Sequence, residues 1–197
     1  MQNVSRETEQ RLQSFQDLVL KWTPKINLIS KKDQSDVWQR HIVDSLQVAD
    51  CGWACDHWVD IGSGGGFPAL VIAIFAKEKW PDTAFTLIES DQRKCAFLRS
   101  AIRELRLNAT VISKRIEEAD PQAADILSAR ALADLSSLLS YADRHLSSSG
   151  TALFQKGASW QKEVADARKS WNFQCEAVKS RTHDDAVILK IEGVSRD

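Results

Sequence analysis

Apolar and polar positions along the chain change period once, near residue 57. Before it the pattern is helical. Over residues 5–22, Leu12, Phe15, Val19 and Trp22 form one stripe behind Ser5, a residue type that caps helix starts. Pro24 is expected to stop this helix. A second stripe, Trp38, Ile42, Leu46 and Ala49, predicts a helix over about 35–49, with His41 and Ser45 on the same face. Residues 50–56 read as a linker. Beyond it, short apolar runs predict strands at 57–62, 84–90, 109–114, 124–129, 150–156, 173–180 and 185–192. Helical patterns fall between them at 67–79, 91–107, 134–146 and 159–171. The run Ser147-Ser148-Ser149-Gly150 reads as a helix-to-strand loop. The early strands are apolar throughout, as in a parallel sheet covered on both faces. Only Arg181-Thr182-His183-Asp184 separates the last two strands, so they must pair as an antiparallel hairpin. The expected organisation is an N-terminal helical extension, 1–56, and an α/β domain, 57–197.

The first predicted strand runs into Asp60-Ile61-Gly62-Ser63-Gly64-Gly65-Gly66-Phe67-Pro68, and an apolar helix follows. Glycines let the backbone turn sharply and let a ligand approach its N–H groups. The start of the helix favours a polar or anionic group. A dinucleotide fingerprint needs G-x-G-x-x-G, and counting from Gly62 its third glycine falls on Phe67. What stands here, D-x-G-x-G-x-G, resembles the S-adenosylmethionine (SAM) loop of Rossmann-like methyltransferases. Glu89 closes the second strand, 27 residues after Gly62, where an acid can accept both ribose hydroxyls. Arg115-Ile116-Glu117 follows the third strand, where the adenine is expected. Arg130 and Lys156-Gly157 end the fourth and fifth strands on the same carboxyl edge, where open α/β sheets bind ligands. A parallel sheet ending in a hairpin marks the seven-stranded SAM-dependent methyltransferase fold rather than a dehydrogenase.

Charge narrows the choice of partner. The net charge of −1 gives no whole-molecule field for nucleic acid, so any RNA contact must be local. Between Arg11 and His41, six Lys/Arg face three acids, a mild basic excess. No apolar run reaches membrane-spanning length, and the start shows no signal-peptide pattern. Cys51, Cys55 and His57 supply only three ligands in a C-x-x-x-C-x-H spacing, so no metal site is expected and reduced cysteines in a cytoplasmic protein are.

Read together, the segments resemble the RsmG (GidB) family, bacterial methyltransferases of 16S rRNA guanine N7. The resemblance rests on Trp22 to Leu28, Arg40-His41-Ile42-Val43-Asp44-Ser45, Gly62 to Pro68, Glu89-Ser90, Arg93-Lys94 with Phe97-Leu98-Arg99, Arg115-Ile116-Glu117, Ser128-Ala129-Arg130-Ala131 and Lys156-Gly157, in the family's order. Thr23, Ala69 and Arg93 depart from it. The resemblance, with the glycine loop, implies SAM binding by Gly62, Ser63, Gly64, Phe67, Glu89, Ile116, Glu117 and Arg130. It implies RNA contacts by Asn27, Arg40, His41, Arg115 and Lys156, with His41, Asn27 and Arg130 as positioning residues and no acid or base. The expected partner is 16S rRNA or a pre-ribosomal small subunit, met by a monomer. Two other readings stay open: a methyltransferase of another substrate class, and a non-enzymatic RNA-binding protein on a degenerate methyltransferase fold.

Overall fold

The structure is a computed structural model and describes residues 4–196. Helix α1, Arg6–Ile26, starts where Ser5 Oγ accepts the Thr8 N–H at 3.2 Å, and it buries Leu12, Phe15, Leu18 and Val19. It runs through Pro24 instead of stopping before it. The missing proline N–H removes a single bond in the last turn, and Asn27 then caps the helix in the left-handed conformation, its N–H on Thr23 O at 2.9 Å. The second predicted helix is a π-helical segment, Trp38–Val43, running directly into α2, Asp44–Ala49. The wider π turn inserts an extra residue per turn and leaves both His41 and Asp44 buried.

The sheet has seven strands: β1 His57–Ile61, β2 Ala84–Ile88, β3 Ala109–Ile112, β4 Ala124–Arg130, β5 Leu146–Lys156, β6 Trp171–Lys179 and β7 Val187–Arg196. Their order is β3-β2-β1-β4-β5-β7-β6, and β7 alone runs opposite to the other six strands. Helices α3 Ala69–Lys79, α4 Gln92–Leu105, α5 Leu135–His145 and α6 Trp160–Ala167 complete the fold. This is the predicted architecture. β1 lies inside the sheet, third in this order, with β2 and β4 on its two sides. Strand β5 differs from expectation: it begins at Leu146 directly after α5, and the three serines belong to it. Its register on β4 shifts between Ala124 and Ile126, and a Cβ at Gly150 would lie 2.6 Å from Ala124 O, so only glycine lets the two backbones meet there.

Two apolar clusters flank the sheet. On one face Leu12, Phe15 and Val19 of α1 pack with Leu70 and Ile74 of α3 and Phe97 of α4, so the N-terminal segment shares the core of the sheet domain. Its start is also tied to α3: the Ser5 N–H and the Thr8 hydroxyl donate to Glu78 at 3.0 and 2.6 Å. On the other face α5 packs Leu135, Leu138 and Leu139 against Val59, Leu127 and Phe154. The eight residues Ala69 to Ala76 are all buried, because α3 lies between the sheet and the N-terminal helices. Among the described residues no helix is long and apolar enough to cross a membrane.

Candidate active site

Parallel strands deliver their following loops to one edge, and two clefts open there. The first is formed by the turns after β1, β2 and β3. The chain leaves β1 at Gly62, whose N–H donates to Ile88 O at 2.9 Å, and turns with φ +65°. A Cβ on Gly62 would lie 2.5 Å from Leu132 Cδ1, so the position excludes side chains. Glu89, buried just beyond β2, locks the turn: its two carboxylate oxygens accept the N–H groups of Gly64 and Asp91, each at 2.8 Å. Each oxygen keeps a second lone pair for a ligand hydroxyl. Ile116 and Glu117 form the far wall in the short helix Ile116–Glu118. A backbone N–H and the Tyr141 hydroxyl, 2.7 Å away, hold the Glu117 carboxyl below the usual range. The cleft encloses about 280 Å³ and is lined by Gly62, Glu89, Ser90, Ile116, Glu117 and Leu132 among others.

Arg130, at the end of β4, stands beside this cleft. Its guanidinium lies over the Phe67 ring, 5.1 Å from the centroid. Nη2 donates to His41 Nδ1 at 2.7 Å, and Nη1 donates to Asp44 Oδ2 and Arg40 O, both at 3.4 Å. The His41 ring stacks on the Phe67 ring, 4.8 Å between centroids. Burial, followed by the Arg130 charge, pushes the His41 pKa down to about 4. A guanidinium can only donate, so Nδ1 of the neutral ring accepts and Nε2 carries the proton. Below, Asp60 Oδ1 accepts from the Ser128 hydroxyl at 2.6 Å, which in turn accepts the Trp58 indole N–H at 2.9 Å. Burial pushes the Asp60 carboxyl up to about 7.

The second cleft, about 260 Å³, opens on the other side of Arg130, between the ends of β4 and β5 and the start of β7. Asp44, Arg130, Gln155, Lys156 and His183 line it, and Ala131 borders both clefts. Asp44 is its hub. Oδ1 accepts from Gln47 Nε2 at 2.7 Å and from the Thr182 hydroxyl at 2.5 Å. Oδ2 accepts from Gln155 Nε2 at 2.7 Å as well as from Arg130. Four chain segments meet on this one carboxylate. Lys156 points inward: Nζ pairs with Glu163 Oε2 at 2.6 Å and donates to Ala133 O at 2.9 Å.

Comparison with known proteins places this geometry. The family model described as GidB, rRNA small subunit methyltransferase G, matches residues 8–188. The chain belongs to this family. A relative from Ruegeria pomeroyi, named ribosomal RNA small subunit methyltransferase G, is 60% identical over 194 residues, spanning 98% of this chain and 95% of the relative. One of the same name from Ruegeria sp. (strain TM1040) is 57% identical over the same shares. Among solved structures, a SAM dependent methyltransferase from Aquifex aeolicus superposes with a TM-score of 0.62 at 13% identity, over 81% of this chain and 95% of that one. That likeness establishes the SAM-methyltransferase fold.

Against this GidB-family background, the residues singled out from sequence fall into separate places. Gly62, Glu89, Ile116 and Glu117 line the first cleft together. Ser63 and Gly64 build its turn, Ser63 through its hydroxyl on Asp60 O at 3.1 Å and Gly64 through its N–H on Glu89. Phe67 and Arg130 are not in its lining; Phe67 is buried beneath His41 and Arg130, and Arg130 faces the second cleft. Of the RNA candidates, Arg115 is exposed at the first cleft and Arg40 is half-exposed, paired with Asp33 at 2.8 Å. His41 is buried and Lys156 is ion-paired. Asn27 is exposed at the helix end, where its left-handed conformation (φ 51°) is a structural reason for an asparagine. His57, considered beside Cys51 and Cys55, instead contacts Thr86 Oγ1 and Gln122 O. Sequence reasoning missed Asp44, Gln155 and Thr182. The available signal for Gln155 was a polar residue directly after the apolar run Ala152-Leu153-Phe154.

Proposed function

We propose that the protein transfers the methyl group of SAM to N7 of a guanine in 16S rRNA, free or in a pre-ribosomal small subunit. What carries the reading is the pairing of the first cleft with a second one across Arg130 and Ala131. The first cleft fits the cofactor: Gly62 carries the chain through a positive-φ turn that excludes a side chain, and each Glu89 oxygen that holds this turn keeps a lone pair for a ligand hydroxyl. Bound there, SAM supplies an electrophilic methyl. The chain's own residues then have to bind, align and exclude water. Guanine N7 carries a lone pair at neutral pH, so alignment is the main contribution and no proton need be removed. The residues at the junction agree with that demand. His41 is buried, neutral and hydrogen-bonded at Nδ1 by Arg130, which makes it a positioning group for the arginine rather than a base. Arg115, exposed at the first cleft, and the half-exposed Arg40 are the phosphate contacts in this reading; such contacts fix register without reading sequence. The helical extension 1–56 contributes Arg40, His41 and Asp44.

The test is nucleoside analysis. Purified protein, small-subunit rRNA and methyl-labelled SAM should yield label in 7-methylguanosine. Its single-turnover rate should stay flat across neutral pH. Label in another nucleoside, or none, overturns the reading.

A further inference from the structure

We propose that the second cleft receives the methyl-accepting base and that Gln155 Oε1 reads its Watson–Crick edge. The inference rests on the guanine-N7 reading above. Gln155 Nε2 donates to Asp44 Oδ2 at 2.7 Å and to Asp44 O at 3.3 Å. Both partners only accept, so the amide cannot turn over without setting two acceptors face to face. Asp44 thereby fixes which end of the amide is which. The other end, Oε1, is buried and has no hydrogen-bond partner. A buried acceptor left unpaired is costly and uncommon, and it asks for a donor. Gln155 lines the second cleft beside Arg130, and Asp44, its positioning residue, lines it too.

Guanine supplies the missing donors. Its Watson–Crick edge presents N1–H and the N2 amine, and one carbonyl oxygen has a lone pair for each. Adenine presents a bare N1 acceptor at the same place, opposite another acceptor. The purine's own geometry completes the fit. N7 lies across the ring system from the N1 and N2 edge. A guanine held at Gln155 therefore turns N7 away from it, towards Ala131, the residue shared with the first cleft. Gln155 thus serves as a specificity-determining residue and Asp44 acts through it.

The experiment uses a synthetic fragment of small-subunit rRNA spanning the guanosine that the wild-type protein methylates, made with guanosine or inosine at that position. Inosine lacks only the N2 amine. The wild-type protein should prefer guanosine by about tenfold in kcat/KM, since a site built to bond a donor rejects the analogue lacking it. In Gln155→Met that preference should fall below about twofold, with SAM affinity and thermal midpoint as controls on folding. No preference in the wild-type protein overturns the inference whether or not the variant folds. A preference that persists unchanged in Gln155→Met overturns it as well. A wild-type protein that makes no 7-methylguanosine on the unsubstituted fragment removes the functional reading and the inference with it.

Discussion

The two clefts sit side by side on one sheet edge and are built by different means. The first is a product of backbone order. Gly62, Glu89 and Glu117 follow β1, β2 and β3 in turn, and their roles depend on φ angles and main-chain N–H groups. The second is a product of side chains that meet only in the fold: Asp44 from α2, Arg130 from β4, Gln155 from β5 and Thr182 from the β6–β7 turn. A backbone-built site tolerates change in its neighbours because its geometry is carried by hydrogen bonds within and next to the strands. A carboxylate hub does not, since removing it takes an acceptor from four donors at once.

The contrast breaks most visibly at Asp44. Asp44→Ala leaves a buried guanidinium without its carboxylate and takes one acceptor each from Gln47, Gln155 and Thr182. Losing one partner of such a buried charged cluster costs about 3–5 kcal/mol. Urea unfolding should show a loss of that size, and methyl transfer should fall far more than SAM affinity. Equal loss of both would mean that the two clefts are one site.

Acid stability sharpens the comparison, because the groups on either side of Arg130 titrate with opposite sign. The His41 pKa falls from 6.5 to about 4 on folding. Between those values the unfolded chain takes up a proton that the native state refuses. Stability is therefore lost as pH drops from 6.5 towards 4, on the order of 3 kcal/mol. Asp60 rises from 3.8 to about 7, so the native state keeps a proton that the unfolded chain gives up. Its contribution is full below 3.8 and is lost as pH rises through 7. Urea midpoints from pH 4 to 7 should show His41→Asn lifting the acid end relative to pH 7. Asp60→Asn should instead raise the neutral end relative to the acid end. The same response in both variants would contradict the assignment.

The smallest effect is expected at Lys156. Its charge is spent on Glu163, with side chains only 10% and 21% exposed. Lys156→Met should cost about 1–2 kcal/mol of stability through the lost charged hydrogen bonds. It should leave the salt dependence of rRNA methylation unchanged, whereas Arg40→Ala should flatten it. A flattened slope for Lys156→Met would show that the lysine leaves Glu163 to meet RNA.

Legibility in the sequence followed the same division. The seven strands, the closing hairpin and the residues gathered at the first cleft were readable because apolar runs, glycine spacing and strand-end acids encode backbone geometry locally. The serine segment of β5 was missed because it falls in the register shift between the Ala124–Leu146 and Ile126–Thr151 pairs, and polar residues there resemble a loop. Pro24 misled because a proline in the last turn forfeits only one bond. Arg130 was rightly placed at the carboxyl edge, but its partners lie 86 and 89 residues away at Asp44 and His41, a distance that no periodicity reports. Asp44 stood in plain view within Arg40 to Ser45, yet nothing local distinguishes it from a solvated helix acid.

The division of labour between the clefts is tested most directly by calorimetric titration of SAM into wild-type protein, Glu89→Ala and Gln155→Met. Removing the Glu89 carboxylate should weaken SAM binding by about 1.5–3 kcal/mol, roughly 10- to 150-fold. Gln155→Met should bind SAM within about twofold of wild type, as expected for a residue outside the cofactor cleft. Wild-type affinity in Glu89→Ala, or a loss in Gln155→Met as large as that in Glu89→Ala, would contradict the account.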